Sequence, residues 1–350
     1  MNKIKYILLV LLIGFIACKE NKKQPTPIPP QEQTLEELKV FQINIWQEGT
    51  QVEGGFEAIV DEIIHTDADV VLLCEIRNYN DTDFIQRLIN RLDEKGAKYY
   101  GHMSNNDDGI ISKLKIESQT NIPSMLKSKI AVNGTKLVVY SAHLDYTNYA
   151  CYLPRGYSGV TWKELDAPVT NIDSILKMNR DSKRDDAIEA FIRDAKEEIA
   201  KGNIVIMGGD FNEPSHLDWQ ANTKDLFDHN GTVVNWDCSV MLIENGYKDA
   251  FREKYPNPVT HPGFTFPSYN ANVGMDKLAW APKVDERDRI DFIYYMPSER
   301  ISLEDIVIVG PSQTIIKGKK EESDSQDKFL TPKGVWATDH KALLATFKLK

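Results

Sequence analysis

Short hydrophobic runs recur along this chain, and many of them end in a polar side chain. Alternating apolar positions predict a half-buried strand over 38–45, and nearly continuous aliphatic runs predict buried strands over 69–76 and 204–207. Further strands are predicted over 99–103, 109–112, 116–119, 136–142, 289–295, 305–309 and 341–347. Strands therefore dominate the predicted fold.

Helices are predicted where apolar residues recur at three- and four-residue spacing. The predicted helices are 56–64, 81–92, 184–201 and 240–245, with a further one that begins near Pro214 and has Ser215 as its cap. The segment 146–179 has little periodicity but several aromatic residues, which favours a substrate-facing insertion over disorder. Many strands with a few helices predict one α+β domain over 36–350.

The first 35 residues carry targeting features. Lys3 and Lys5 precede an apolar run over 7–16, and Cys18 follows. This arrangement resembles a bacterial lipoprotein signal peptide over 1–17, in which Cys18 becomes the lipidated first residue. A plain secretory signal and an N-terminal anchor are the alternatives. Residues 18–35 are polar and proline-rich and predict a flexible tether. We therefore expect an extracytoplasmic protein anchored to a membrane, at the periplasmic face or the cell surface.

Composition and charge narrow the class of partner. The 350 residues are 41% hydrophobic and 27% charged, which is ordinary for a globular protein. The formal net charge is −10, and proteins that bind long polyanions usually present a basic face, so nucleic acid is disfavoured as a partner. Cys74 is predicted to be a core residue, whereas Cys151 and Cys238 are able to pair in an oxidising compartment.

The run 204–212, IVIMGGDFN, carries the clearest chemical signal. Its two glycines allow a sharp turn, so Asp210 and Asn212 emerge at the end of a strand. A carboxylate and a carboxamide at this spacing are able to take a proton from water and to donate hydrogen bonds to an oxyanion. An Asx turn is the alternative for this pair alone.

Other polar side chains are also predicted at or beside strand ends. They are Asn44, Glu75, His143, Asp291 and the pair Asp339 and His340. A solvent-facing Glu75 and a hydrogen-bonded structural His143 are the alternatives for those two residues taken alone. Asp291 lies in an otherwise apolar strand, and a buried carboxylate requires a partner.

In chain order, these residues resemble the motifs of the endonuclease/exonuclease/phosphatase superfamily. That family includes DNase-like nucleases, exonuclease III, neutral sphingomyelinases and inositol polyphosphate 5-phosphatases. The resemblance implies a four-layered α/β/β/α sandwich with two packed, mainly antiparallel sheets. It also implies metal-dependent hydrolysis of a phosphoester by attack of water.

The resemblance also assigns a metal site and a water-activating group. Asn44, Glu75 and Asp339 match the metal site, which favours Mg²⁺, with Mn²⁺ or Ca²⁺ as alternatives. Asp210 matches the carboxylate that orients or deprotonates the attacking water, and Asn212 matches the amide that holds a phosphate oxygen.

Two histidines complete the implied catalytic set. His340 matches the histidine that contacts the phosphoryl group and takes part in proton transfer, and Asp291 matches the acid that fixes its tautomer. His143 matches the second histidine of the DNase-like and sphingomyelinase-like branches, which stabilises phosphoryl oxygens or protonates the leaving group. The exonuclease III branch usually has Tyr in that place.

Further candidates concern the substrate. Asp145, Arg155, Arg184 and His216 are candidate substrate contacts, and Trp219 is assigned to the core. The acidic charge, the tether and His143 favour a monomeric phosphodiesterase or phosphatase that acts on a small or membrane-borne substrate, such as a sugar phosphate or a lipid headgroup. A secreted DNase-like endonuclease and an inactive binding lipoprotein are the alternatives.

Overall fold

The computed structural model describes residues 35–104 and 107–350, and these residues belong to one compact unit. The predicted signal peptide over 1–17, the lipidation site Cys18 and nearly all of the predicted tether lie outside the described residues. Among the helices of 35–104 and 107–350, none combines the length and the apolar character that crossing a bilayer requires.

Strands predominate in the described part of the chain. They are β1 (Glu37–Asn44), β2 (Val70–Cys74), β3 (Tyr100–Gly101), β4 (Asp108–Ser112), β5 (Ile116–Ile122), β6 (Met125–Val132), β7 (Thr135–His143), β8 (Ile204–Asp210), β9 (Lys248–Asp249), β10 (Asp291–Tyr295), β11 (Ile301–Val309), β12 (Thr314–Ile316), β13 (Lys319–Glu321), β14 (Phe329–Leu330) and β15 (Ala342–Leu349). The α-helices are α1 (Gly55–Thr66), α2 (Phe84–Glu94), α3 (Ile172–Arg180), α4 (Arg184–Ala200), α5 (Asp237–Glu244), α6 (Ala250–Lys254) and α7 (Met275–Leu278).

Two mainly antiparallel sheets organise the domain. One has the strand order β14-β11-β15-β1-β2-β4-β3, and the other has the order β5-β6-β7-β8-β10-β9. The parallel pairs are β1 with β2 and β11 with β14 in the first sheet, and β7 with β8 in the second. Strands β12 and β13 form a separate antiparallel pair.

The sheets pack face to face and carry helices on their outer faces. Val40 and Leu72 of the first sheet meet Val139 and Ile206 of the second in one hydrophobic core. Helices α1 and α2 cover the outer face of the first sheet, and α4 and α5 cover the outer face of the second. The four-layered α/β/β/α sandwich expected from the sequence is confirmed.

The layer between the sheets changes from aliphatic to polar toward one rim. Side chains two positions apart on a strand share a face, so the inward face of β1 runs from Val40 to Asn44. On β8 the same face runs from Ile206 to Asp210. The strand ends that carry the predicted catalytic residues meet at this rim.

Strand β6 was not predicted. Lysines at positions 127 and 129 interrupt its apolar pattern, and both bind Glu198 of α4, at 2.9 and 2.8 Å. Lys127 is buried, and Glu198 neutralises its charge. The sequence pattern therefore shows a polar position where the side chain is in fact packed inside the protein.

One other expectation is corrected, and the open question of a Cys151–Cys238 pair is answered. No helix begins near Pro214: the Ser215 hydroxyl instead accepts a hydrogen bond from the Leu217 amide and closes a turn. Cys151 and Cys238 are both buried and free, so they do not pair. Trp219 is buried and Cys74 is a core residue, as expected.

Candidate active site

The second sheet places three of the predicted catalytic residues side by side. Strand β7 pairs with β8 so that His143 lies opposite Asp210, and β10 pairs with β8 so that Asp291 also lies opposite Asp210. Neighbouring strands are about 4.8 Å apart, so backbone pairing alone brings these residues together.

The first sheet contributes Asn44 and Glu75. Asn44 ends β1 and pairs in register with the last residue of β2, and Glu75 follows directly. The Asn44 amide donates to Glu75 at 3.1 Å and to Asp210 at 3.0 Å. A single carboxamide thus ties the ends of the two sheets together.

A left-handed turn orients Glu75. Residues Trp46, Gln47 and Glu48 all have positive φ angles, of 41°, 56° and 61°, and Glu75 itself has a φ of 70°. The Gln47 amide donates to the second Glu75 oxygen at 3.0 Å. Left-handed backbone costs roughly 1–2 kcal/mol for each residue with a side chain, and such strain clusters at functional sites.

One histidine is paired with a fully buried carboxylate. His340 Nδ1 lies 2.9 Å from Asp291, whose other oxygen accepts a hydrogen bond from Gln42 at 2.9 Å. Burial disfavours the charged imidazole, but the negative charges of Asp291 and Asp210 outweigh burial and raise the pKa of His340 to about 10. Asp291 therefore has the partner that its buried position requires.

The other histidine is paired with a carboxylate that the sequence did not indicate. His143 Nδ1 lies 2.6 Å from Asp107, and the Asp107 side chain is 34% exposed. The Arg77 guanidinium contacts Asp107 and lies 3.4 Å from Glu75. Asp107 belongs to the polar run NNDD, which is typical of an ordinary loop. Nothing in the neighbouring sequence therefore indicates that Asp107 belongs to the site.

Asp210 lies between the two imidazoles. The Nε2 atoms of His143 and His340 are each 3.7 Å from the same Asp210 oxygen. The other oxygen accepts a hydrogen bond from the Asn212 backbone amide at 2.9 Å, so the pair does form an Asx turn. Burial raises the pKa of Asp210.

Asn212 faces the site and is held by the backbone. Its side-chain amide donates to the Leu144 carbonyl at 3.0 Å, and its φ of 49° is left-handed. An amide nitrogen carries two hydrogens, so one remains for an oxyanion. The phosphate contact of Asn212 stays a prediction.

The residues at this rim fit a hard divalent cation. Glu75, Asp339 and Asn44 offer oxygen donors, which such cations prefer. Asp339 is buried, and burial together with the Glu75 charge raises its pKa to about 7. Asp210, Asp291 and His340 also offer ligand atoms within 4.8 Å of one another. The Asp291 oxygens bind Gln42 and His340, and the Glu75 oxygens accept hydrogen bonds from Asn44 and Gln47.

A cavity of about 370 Å³ opens at the same rim. The catalytic candidates line it together with a group of aromatic residues that we call the aromatic wall. The wall consists of Trp46, Tyr146, Tyr149, Tyr152, Trp162, Phe266 and Trp280. The segment 146–179 supplies four of these rings.

The two arginines proposed as substrate contacts do not line the cavity, and this expectation is corrected. Arg184 is buried and donates to the carbonyls of Asp145 and Thr147 at 2.7 and 2.9 Å. Arg155 is buried and pairs with Asp288. A buried guanidinium has several donors to satisfy, and here backbone and carboxylate oxygens satisfy them. Both arginines hold the segment that carries the aromatic wall.

The other two proposed contacts also lie outside the cavity lining. Asp145 accepts a hydrogen bond from the Thr147 amide at 2.9 Å and so closes a turn. His216 Nδ1 lies 2.8 Å from the Ser239 hydroxyl. Their assignment as substrate contacts is corrected, because both side chains are engaged in local structure.

Comparison with known proteins identifies a family. The sequence model of the Endonuclease/Exonuclease/phosphatase family matches residues 41–340. An uncharacterized protein of Caenorhabditis elegans is 27% identical over 265 residues, which are 74% of this chain and 78% of that protein.

Solved structures show the same fold. A D. rerio TDP2 humanized by 14 mutations has a TM-score of 0.50 and 14% identity, and the match covers 90% of this chain and all of that chain (100%). TDP2 from C. elegans also has a TM-score of 0.50, with 16% identity over 89% of this chain and 75% of that chain.

Proposed function

This chain belongs to the Endonuclease/Exonuclease/phosphatase family, and on that basis we propose that it is an extracytoplasmic, metal-dependent phosphoester hydrolase. Members of this family are metal-dependent phosphoester hydrolases, and the chain has their fold. The proposed substrate is a small or membrane-borne ester, such as a sugar phosphate or a lipid headgroup. The observation that carries the proposal is the convergence of two imidazoles on one Asp210 oxygen, at 3.7 Å each.

The metal in this proposal is Mg²⁺, held by Glu75 and Asp339 with Asn44 beside them. When bound, such an ion supplies positive charge to a phosphoryl oxygen. Asn44 donates to both Glu75 and Asp210, so it keeps the metal ligand and the water-activating carboxylate in fixed relation.

The chain's own residues supply the rest of the chemistry. Phosphoryl transfer develops charge on the equatorial oxygens and on the leaving oxygen, so it depends on positioned donors and a positioned water. Asp210 accepts a proton from the attacking water. His340 stays protonated beside Asp291 and donates to a phosphoryl oxygen, and His143 protonates the leaving group.

The cavity and the charge support a small substrate. The site is a cavity of about 370 Å³ with aromatic lining residues, and the chain carries a net charge of −10. A long polyanion would meet unfavourable electrostatics over most of the surface. We retain Cys18 as the proposed lipid anchor, 36–350 as the proposed catalytic domain and a monomer as the proposed active form.

A substrate panel tests this proposal. The full chain would be assayed with Mg²⁺ or Mn²⁺ against bis-p-nitrophenyl phosphate, p-nitrophenyl phosphate, sphingomyelin, sugar phosphates and plasmid DNA. We expect metal-dependent turnover of small esters and little cleavage of plasmid. Plasmid cleavage far ahead of every small ester would indicate a nuclease, and the absence of turnover on all of them would refute the proposal.

The proposed anchor has a separate test. Cells that express the protein would be labelled with radioactive palmitate, which should mark the wild type and leave Cys18→Ala unmarked. If the wild type stayed unmarked, Cys18 would not be the lipid anchor.

A further inference from the structure

The aromatic wall has a buried layer that supports an exposed layer. Tyr149 and Tyr152 are buried and meet edge to face, with centroids 4.9 Å apart. The Tyr152 hydroxyl donates to the buried Glu286 at 2.5 Å, and Glu286 also accepts a hydrogen bond from the Trp280 backbone amide at 3.1 Å. The rings are therefore anchored from behind.

Two indoles lie against this buried layer, and of these Trp162 is partly buried and Trp280 is exposed. Trp162 lies against both buried tyrosines, with centroid distances of 5.9 and 5.5 Å, and Trp280 lies 6.1 Å from Trp162. Trp280 is 50% exposed, and Tyr146, which lines the same cavity, is 62% exposed. Large aromatic rings that are open to solvent beside a polar catalytic cluster are typical of a ligand-binding surface.

Backbone strain at two tryptophans also indicates a ligand-binding role. Trp162 has a φ of 60° and Trp46 has a φ of 41°, both left-handed and unfavourable for bulky residues. Both side chains line the same cavity. Conformations of this cost persist where the surrounding structure holds a side chain in a functional position.

We propose that the aromatic wall is a subsite for the organic substituent of the phosphoester, and that it takes a flat, uncharged ring. This inference rests on the proposed hydrolase function, because the catalytic residues of the cavity would hold the phosphoryl group. A ring packed on an indole face gains dispersion and apolar burial without a charge. An aromatic ring and the C–H face of a sugar share this chemistry.

The arrangement of the rings favours a flat ligand over a quaternary ammonium group. The planes of Trp162 and Trp280 are inclined at 50°, and Trp280 is half open to solvent, so the two indoles form an open platform. A quaternary ammonium group is recognised by ring faces that surround it. Tyr149 and Tyr152 are buried, meet each other edge to face and both contact Trp162, so little of their ring surface is free to enclose a cation.

Binding of two phosphonates to the full chain with Mg²⁺ tests the inference without turnover. By calorimetry, phenylphosphonate should bind roughly two- to tenfold more tightly than methylphosphonate. Trp280→Ala should remove that preference. Tyr100→Ala is the matched control, because Tyr100 is 39% exposed and lies outside the cavity lining, so it should keep the preference.

The same variants distinguish the two sources of a ring. A preference for glucose 1-phosphate over glycerol 3-phosphate that Trp280→Ala removes would assign the subsite to sugars, and a preference for the phenyl compound alone would assign it to aromatic groups. Equal affinities, no binding of either phosphonate, or a Trp280-dependent preference for phosphocholine would overturn the inference. Ring binding without hydrolysis of any ester would instead refute only the proposed function.

A second variant guards against misfolding. Trp162→Gly removes the indole, and its backbone conformation is one that glycine adopts readily. This variant should also lose the phenyl preference while its circular dichroism spectrum stays unchanged. Retention of the full preference in the folded variant would contradict the subsite.

Discussion

The two histidine–carboxylate pairs of the site have the same geometry toward Asp210 but different surroundings. His340 pairs with Asp291, which is fully buried, and His143 pairs with Asp107, which is 34% exposed. Asp291 is further fixed by Gln42, whereas Asp107 shares its charge with Arg77.

The difference assigns different tasks to the two imidazoles. Charge interactions are much stronger away from water, so buried Asp291 holds His340 in its protonated form. Asp107 is partly exposed to solvent and also pairs with Arg77, so its charge is screened more than that of Asp291. A protonated His340 suits a phosphoryl oxygen, and this leaves His143 to act at the leaving group. The comparison therefore predicts unequal costs for equivalent mutations.

Removing the buried imidazole should have the largest effect. His340→Ala deletes the donor to the phosphoryl oxygen and leaves Asp291 and Asp210 without their shared positive charge. We expect kcat to fall by about 10³-fold or more, because general acid–base groups contribute about 10²–10⁴-fold. Steady-state kinetics with a small ester would measure this, with circular dichroism as the control for folding. Wild-type activity would exclude the assigned role.

The two carboxylates provide the direct test of the comparison. Asp291→Asn should lower kcat by roughly 10²-fold and Asp107→Asn by roughly tenfold, since only the former removes a fully desolvated charge. Asp145→Asn is a matched control near the site that should change kcat by less than about twofold, because its side chain does not line the cavity. Equal losses in both dyad variants would mean that burial does not distinguish the pairs.

The pH dependence of stability gives an independent measure of the buried pair. The pKa of His340 is raised to about 10 from an unfolded value of about 6.5. A raised histidine pKa contributes stability that is fully present below pH of about 6.5 and is lost as the pH rises through about 10.

Thermal unfolding in EDTA would measure this contribution. Between pH 6 and pH 10, the Tm of the wild type should fall more steeply than the Tm of His340→Asn, which has no imidazole to titrate. Parallel curves for the two proteins would show that Asp291 does not stabilise an imidazolium.

The smallest expected effect concerns the strained wall beside these pairs. Trp162 has a φ of 60°, where a side chain costs about 1 kcal/mol relative to glycine. Trp162→Gly should therefore be more stable than Trp162→Ala by about 1 kcal/mol in urea unfolding, although both lose the indole contacts. The reverse order would mean that the position is not held in a left-handed conformation.

The sequence identified the residues that the strand pattern delivers to one rim. Asp210, Asp291 and His143 lie at the ends of strands with clear apolar patterns, and adjacent strands then bring them together. Asp107 escaped detection because it precedes β4 in a polar run that resembles a loop, and only the tertiary structure places it beside His143.

The arginines show a different limit of sequence reasoning. Arg155 and Arg184 lie in or beside the aromatic segment, and their positions are compatible with a phosphate contact or with a solvated or ion-paired side chain. Both guanidinium groups are buried in the structure. Arg184 donates to the Asp145 carbonyl, and Arg155 pairs with the Asp288 carboxylate. Sequence spacing carries no information about which oxygens a long side chain reaches.

The central claim is that Asp210, placed between two imidazoles, activates water for phosphoester hydrolysis. Turnover of bis-p-nitrophenyl phosphate by the wild type and by Asp210→Asn, with Mg²⁺ and with EDTA, tests it most directly. We predict Mg²⁺-dependent turnover by the wild type and a loss of at least about 10³-fold in the variant with its fold intact. Equal turnover by the two proteins would contradict the claim.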